Sequence, residues 1–392
     1  MTWTLGAPPA DYVLGHVRAV LPDRVVDDAR IVVRDGRIAE VGPHPAGSYA
    51  DVDGTGLLCL PGIVDVHSDG LEREVLPRPE AQVPWEFALL SFEGKLRAAG
   101  ITTVFHGAAY EKGAEPGAAR TSLRSVEATR TLRATASARG GAGFVDHRIL
   151  HRLDVRSPEG LAALQEDLAT TAPGSLVSHE DHTPGQGQYA DRTYYERFIA
   201  GNRGLSDDEA RAQVDVLIDA RDARLAVRHE SLEWLGEQAV AGAIRLAGHD
   251  PASAEEIDDL IARGGSVAEF PTTVEAAEAA RAAGLPVVAG APNVLRGGSH
   301  AGNVSGAELA KRGLVTALAS DYLPSGLLAA AVLLAANLGL PAAVALVTSG
   351  GAEVAGLADR GRIEEGRRAD LVLADVRGEW PVVTATLRDR SA

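Results

Sequence analysis

A chain of 392 residues, 45% hydrophobic and 23% charged, has the make-up of an ordinary globular protein. It holds enough material for one barrel-sized α/β domain and a smaller companion. The net charge of −16 argues against nucleic acid and anionic membrane as partners, since both select basic faces. The single cysteine, Cys59, excludes a disulfide framework and any zinc site built from several thiolates, so a bound metal would need His and carboxylate ligands.

Residues 12–55 alternate apolar and polar positions between Gly, Asp and Pro punctuation ("YVLGHVRAVL", "ARIVVRD", "GRIAEVGP"), which predicts short strands. The string "GRIEEGRRADLVLADV" (361–376) has the same texture. The two ends, 1–60 plus 355–392, are therefore expected to form one small β-sandwich. Between them, 61–354 alternates strand-like runs (60–67, 101–106, 143–155, 175–182, 243–249, 266–271, 286–293 and 314–322) with Ala/Glu/Arg-rich helical ones. Eight such alternations predict a (β/α)8 TIM-type barrel. No GxGxxG follows the first strand, which removes the commonest signature of a doubly wound sheet. The segment 183–240 is polar, mainly helical in pattern and too long for a plain barrel loop, so it is expected to be an insertion covering the site. The Ala-rich run 327–347 is broken by Asn337, Gly339 and Pro341 and reads as buried helices, not a membrane span. A cytoplasmic location is the expectation.

Chemistry concentrates at the predicted strand ends. In "LPGIVDVHSDGLER" (60–73), His67 and Asp69 stand two apart, and alternation puts both on one face. That pair suits a shared metal ion or a hydrogen-bonded turn. Asp154 ends the third run, His249 the fifth and Asp321 the eighth, while His179, Glu180, Asp181 and His182 crowd the end of the fourth. Strand C-termini of a barrel meet at one mouth, so these residues are candidates to converge. His147 and His151 read as packing groups, because alternation turns His151 off the face of Asp154. His179 reads as a neighbour of the site, and Glu269 as either a brace or a substrate contact. In "RGGSH" (296–300), Arg296 offers a bidentate fork, Gly297 and Gly298 admit close backbone N–H groups, and Ser299 and His300 add donors for an anion. Asn293 belongs to that loop, as an anion contact or a structural turn. Arg73 and Arg78 are weaker candidates of the same kind.

The order H-x-D, acid, His, His, Asp resembles the metal-site arrangement of the amidohydrolase superfamily. Read with "DHTPGQGQY" (181–189), "AEFPTT" (268–273), "GAPNVLRGGSHAGNVS" (290–305) and "SDYLPSGLLAAA" (320–331), the chain resembles the PhnM-type branch, the alpha-D-ribose 1-methylphosphonate 5-triphosphate diphosphatases, over residues 12–376. The resemblance implies His67 and Asp69 as first-strand metal ligands and Asp154 as the acid where the family carries a glutamate. It makes His182 the histidine of the D-H-T-P-G-Q string, His249 the sixth-strand histidine, and Asp321 both ligand and general base. It further implies one or two divalent ions, Zn2+ first and Mn2+ second, and a small phosphorylated substrate. The implied reaction is water attack on a 5-triphosphate chain with release of diphosphate, in phosphonate degradation. Homodimerisation is a further expectation. Two departures stand out: the string after His67 runs H-S-D-G, and Asp154 is one methylene shorter than glutamate. The rival readings are hydrolysis of a cyclic amide or deamination of a small heterocycle on the same scaffold, and a catalytically silent barrel serving binding or assembly.

Overall fold

The computed structural model of the chain describes residues 8–113, 123–140, 143–299 and 302–388; His300 lies outside them. Seven strands, β1 (Tyr12–Val20), β2 (Val25–Arg34), β3 (Arg37–Pro43), β4 (Val52–Asp53), β5 (Leu58–Pro61), β14 (Leu371–Asp375) and β15 (Val382–Leu387), form one sheet in the order β15-β14-β5-β1-β2-β3, with β4 beside β1. Both ends of the chain thus meet in a sheet apart from the main body. Alternation explains its core: Tyr12, Leu14, Ile31, Val33 and Leu371 all turn to one buried cluster.

The main body is a ring of eight parallel strands: β6 (Ile63–Ser68), β7 (Ile101–Tyr110), β8 (Asp146–Asp154), β9 (Ser175–Glu180), β10 (Ile244–His249), β11 (Val267–Glu269), β12 (Val287–Gly290) and β13 (Ala317–Ala319), each beside the next. The ring closes between its first and last members. Ser68 bridges Asp321, and the Asp321 N–H donates to the His67 carbonyl at 3.0 Å while the Asp69 N–H donates to the Asp321 carbonyl at 2.6 Å. Buried Asp65 stitches the same seam by accepting from the Ser320 N–H at 3.0 Å and hydroxyl at 2.6 Å. The interior is packed, with Val64, Val66, Phe105, Leu150, Leu176, Val267 and Val288 in one buried cluster.

Three helices, Arg192–Arg203, Asp207–Asp222 and Leu225–Val240, fill the long segment between β9 and β10. Asp191 caps the first, and Ser206 with Glu209 forms a capping box on the second, so these two starts have orphan N–H groups satisfied locally. The Ala-rich run folds as helices Gly326–Leu338 and Leu340–Ala345, split at Gly339, whose φ of 80° suits glycine. Among the described residues no helix is long and apolar enough to cross a membrane. Two expectations need correction. His249 closes the fifth barrel strand, not the sixth, which ends in Glu269. The strand expected over 286–293 stops at Gly290, because a helix, Ala291–Arg296, begins there with Pro292 in its first turn.

Candidate metal centre at the barrel mouth

Five strand ends gather histidines and carboxylates around one cavity of about 350 Å³. His67 stands on β6 with Asp69 just past its end, His182 follows β9, His249 ends β10 with Asp250 after it, and Asp321 lies just beyond β13, all lining the cavity; Glu180 at the end of β9 and Glu269 at the end of β11 support them from outside that lining. The inserted segment supplies the facing wall through Gln188, Tyr189, Tyr195 and Phe198, with the Tyr189 and Tyr195 rings edge to face at 4.7 Å. Three residues that follow strand ends, Asp250, Phe270 and Asp321, hold φ values of 55°, 53° and 54°. Side chains other than glycine adopt that region at a cost of about 1 kcal/mol or more, and such strain gathers at functional sites.

Glu269 organises the histidines. Its carboxylate accepts from His67 Nδ1 at 2.8 Å, His249 Nδ1 at 2.7 Å and the Ser178 hydroxyl at 2.6 Å. With Nδ1 held by Glu269, each ring turns its Nε2 the other way, His67 Nε2 to 3.7 Å from Asp69 and His249 Nε2 to 3.4 Å from Asp250, where a metal ion would find it. Three sets of side chains bring ligand atoms within 4.8 Å of one another: His67 with His249 and Glu269, Glu180 with His182 and His249, and His67 with Asp69 and Asp321. His182 Nε2 is buried without a hydrogen-bond partner. Asp69, Glu180, Asp250, Glu269 and Asp321 place five carboxylates here against the guanidiniums of Arg124 and Arg152. Five minus two leaves three negative charges, or two with a proton on His67.

The electrostatics follow from that excess. Burial works against a charged His67, yet the Glu269 carboxylate overrides it and raises the pKa to about 10, so His67 carries a proton that a cation would displace. Burial, then the charge of Asp69, raises the Asp321 carboxyl above its usual range. Burial pushes Asp250 up to about 6. His182 is driven down to about 3 by burial and is neutral. A divalent cation matches this set: excess negative charge, imidazole nitrogens that become ligands as His67 gives up its proton, and hard carboxylate oxygens.

The structure brings together His67, Asp69, His182, His249 and Asp321 but not Asp154. Asp154 ends the third strand, in register with Glu180 on the fourth, and its two oxygens accept from Arg221 at 2.5 and 2.9 Å. The acid at the mouth is Glu180. Sequence reasoning also missed Arg152, whose Nη1 donates to both Asp69 oxygens at 2.7 and 2.6 Å and whose Nε donates to Glu180. Arg124 Nη2 holds the other Glu180 oxygen at 2.8 Å. The signal for Arg152 was its spacing: it stands two before Asp154 and shares that face of β8.

The anion loop differs from expectation. The Gly297 N–H donates to the Val294 carbonyl and the Gly298 N–H to that of Asn293, both at 3.1 Å. They cap the helix instead of facing an anion. Asn293 ties the loop together by accepting from the Gly306 N–H at 2.8 Å and donating to the Val304 carbonyl at 3.3 Å. Arg296 donates to the Tyr322 hydroxyl, over whose ring Arg73 sits at 4.8 Å. Arg296, Ser299 and Asn293 line a smaller cavity of about 110 Å³, which shares Asp250, Phe270 and Asp321 with the main one. Arg78 is exposed and lines neither cavity. His147 pairs with His106 at 2.9 Å and Glu93 at 3.0 Å, and His151 with Tyr110 at 2.9 Å, all outside the mouth. His179 lies behind it beside Arg228 and Arg263. Gly70 has a packing role: a Cβ there would stand 2.6 Å from the Phe92 ring.

No protein-family model matches the sequence. The chain is 36% identical over 372 residues, 92% of its length and 94% of the relative's, to the alpha-D-ribose 1-methylphosphonate 5-triphosphate diphosphatase of Escherichia coli (strain K12). Among solved structures, a prolidase complexed with N-methylphosphonate-L-proline aligns with a TM-score of 0.58 at 16% identity, covering 97% of this chain and 98% of that one. N-acetyl-D-glucosamine-6-phosphate deacetylase from Mycobacterium smegmatis aligns with 0.58 at 16% identity, over 96% and 98%. The latter two show a shared fold, and the first shows the lineage: the chain belongs to the alpha-D-ribose 1-methylphosphonate 5-triphosphate diphosphatase family.

Proposed function

We propose that this protein is a metal-dependent hydrolase that cleaves the triphosphate chain of alpha-D-ribose 1-methylphosphonate 5-triphosphate and releases diphosphate. The observation that carries the reading is the mouth itself, where His67, Asp69, Glu180, His182, His249 and Asp321 converge, in a chain 36% identical to a named diphosphatase. The rival substrates, cyclic amides and heterocycles, have no comparable support, since the structures that suggest them share the fold at under 20% identity.

The residues that would hold a divalent ion, Zn2+ or Mn2+, are His67, Asp69 and Asp321, with Glu180, His182 and His249 adjacent. Such an ion lowers the pKa of water and steadies charge on a phosphoryl oxygen. The protein does the rest. Asp321 accepts the proton of the attacking water on its carboxylate, and its raised pKa makes it a better base than an exposed aspartate. Arg124 and Arg152 line the cavity and neutralise phosphoryl oxygens, which is most of what phosphoryl transfer asks of a site. Arg296 and Ser299, in the adjoining cavity, receive the far end of a substrate too long for the main one. Tyr189, Tyr195 and Phe198 exclude bulk water. Phosphorus NMR of the metal-loaded protein with the triphosphate substrate tests the reading. Growth of a diphosphate resonance is expected, and silence with metal bound refutes the substrate.

A further inference from the structure

The site offers two neighbouring triads, each with the donors for an ion. One is His67, Asp69 and Asp321; the other is Glu180, His182 and His249. Arg152 lies between them. One of its nitrogens takes both oxygens of Asp69 and another takes an oxygen of Glu180, so a single guanidinium joins the acid of one triad to the acid of the other. Arg124 occupies the second Glu180 oxygen at 2.8 Å. Both arginines are permanent cations, and Arg152 is only 5% exposed. The backbone is shaped around the pair. At Gly107 a Cβ would stand 2.3 Å from Asp69 Oδ1 and 3.1 Å from Arg152 Cδ, so β7 gives up a side chain where the two meet.

From this geometry we infer that Arg152 takes the place of a second metal ion: the protein binds one divalent cation, at His67, Asp69 and Asp321, and the guanidinium neutralises the other triad. The first triad keeps its capacity. No side-chain hydrogen bond reaches the Asp321 carboxylate among the described residues, and Asp69 retains lone pairs beyond those that Arg152 uses. The second triad is the more fully neutralised, because Glu180 is held by two guanidiniums, those of Arg152 and Arg124, where Asp69 is held by Arg152 alone. His182 Nε2 stands unpartnered beside it, ready for an ion only when the positive charge is gone.

The inference rests on the metal reading above, and its test counts ions instead of turnover. The purified full chain is equilibrated with excess Mn2+, freed of unbound metal, and its metal-to-protein ratio measured by mass spectrometry. Paramagnetic resonance on the same samples reads coupling between paired ions. Wild type is expected to hold one ion and show no coupled signal. Arg152→Met is expected to hold two, with the coupled signal present, while Arg152→Lys keeps a charge there and stays at one. Two coupled ions in wild type, or one ion in a folded Arg152→Met protein, overturn the inference. Should Arg152→Met not fold, Arg124→Met takes its place, with the second ion appearing at no less than tenfold higher affinity than in wild type; unchanged affinity counts against the inference. No bound ion in wild type refutes the metal reading instead, which keeps the two failures apart.

Discussion

The cavity and the rim that carries the inserted helices are made of the same residue types in different proportions. At the rim, Asp154, Asp181 and Asp222 meet Arg156, Arg221 and Arg228, three carboxylates against three guanidiniums. At the cavity, five carboxylates face two. A balanced cluster satisfies itself and fixes geometry, since losing either partner strands a charge. An unbalanced one has room for a cation and a reason to attract it. The sheet makes the contrast sharp, because Asp154 and Glu180 are register partners on adjacent strands. One is held by Arg221 from the segment between β9 and β10; the other, held by Arg124 and Arg152, stands beside His182 and His249.

If the cavity is the working half, its substitutions should change chemistry and leave the fold intact. The largest effect is expected for Asp321→Asn, which removes the proposed base. Turnover should fall by about 10³-fold with an unaltered circular dichroism spectrum, and full activity would remove Asp321 from that role. Glu269→Gln comes next. It weakens the carboxylate that orients His67 and His249, so metal affinity by equilibrium dialysis should drop about 10- to 100-fold. Arg221→Ala probes the rim. By stranding Asp154 it should cost about 3 kcal/mol in urea denaturation and leave metal affinity unchanged; lost metal would erase the distinction between the two regions.

The smallest effect concerns a third cluster, between the barrel and the helix Trp85–Ala98. Glu93 accepts from His147 at 3.0 Å and pairs with Arg139 at 2.5 Å. Burial opposes its ionisation, but these partners hold the pKa at about 2, against 4.5 for a free glutamate. A depressed carboxyl stabilises the fold above the unfolded value and loses that contribution as pH falls from about 4.5 toward 2. Wild type should therefore exceed Glu93→Gln in stability at pH 7, with the gap closing across that window. A gap that holds constant would place the stabilisation elsewhere.

Much of the site was legible because it is local. His67 and Asp69 stand two apart at the end of one apolar run, and Asp321 ends another short one. The eight strand runs and the pairing of the two chain ends followed from periodicity, and the helical pattern of 183–240 matched the three helices found between β9 and β10. The choice between Asp154 and Glu180 was not local. Each ends a strand, and what separates them is Arg221, 67 residues beyond Asp154, arriving on an inserted helix whose docking no periodicity encodes. The glycines of "RGGSH" misled for a related reason: helix Ala291–Arg296 is too short to announce itself, and it claims their N–H groups. Arg152 lay two residues from a candidate already chosen, hidden because an arginine on a barrel's inner face reads as an exception until its two carboxylates are known.

The most direct test of the account is hydrolysis of alpha-D-ribose 1-methylphosphonate 5-triphosphate by the metal-loaded protein in ¹⁸O-water, with products read by mass spectrometry. The account predicts diphosphate and the ribose 5-monophosphate ester, with one solvent oxygen carried between them on a phosphorus. Orthophosphate without diphosphate, or products bearing no solvent oxygen on phosphorus, would contradict it.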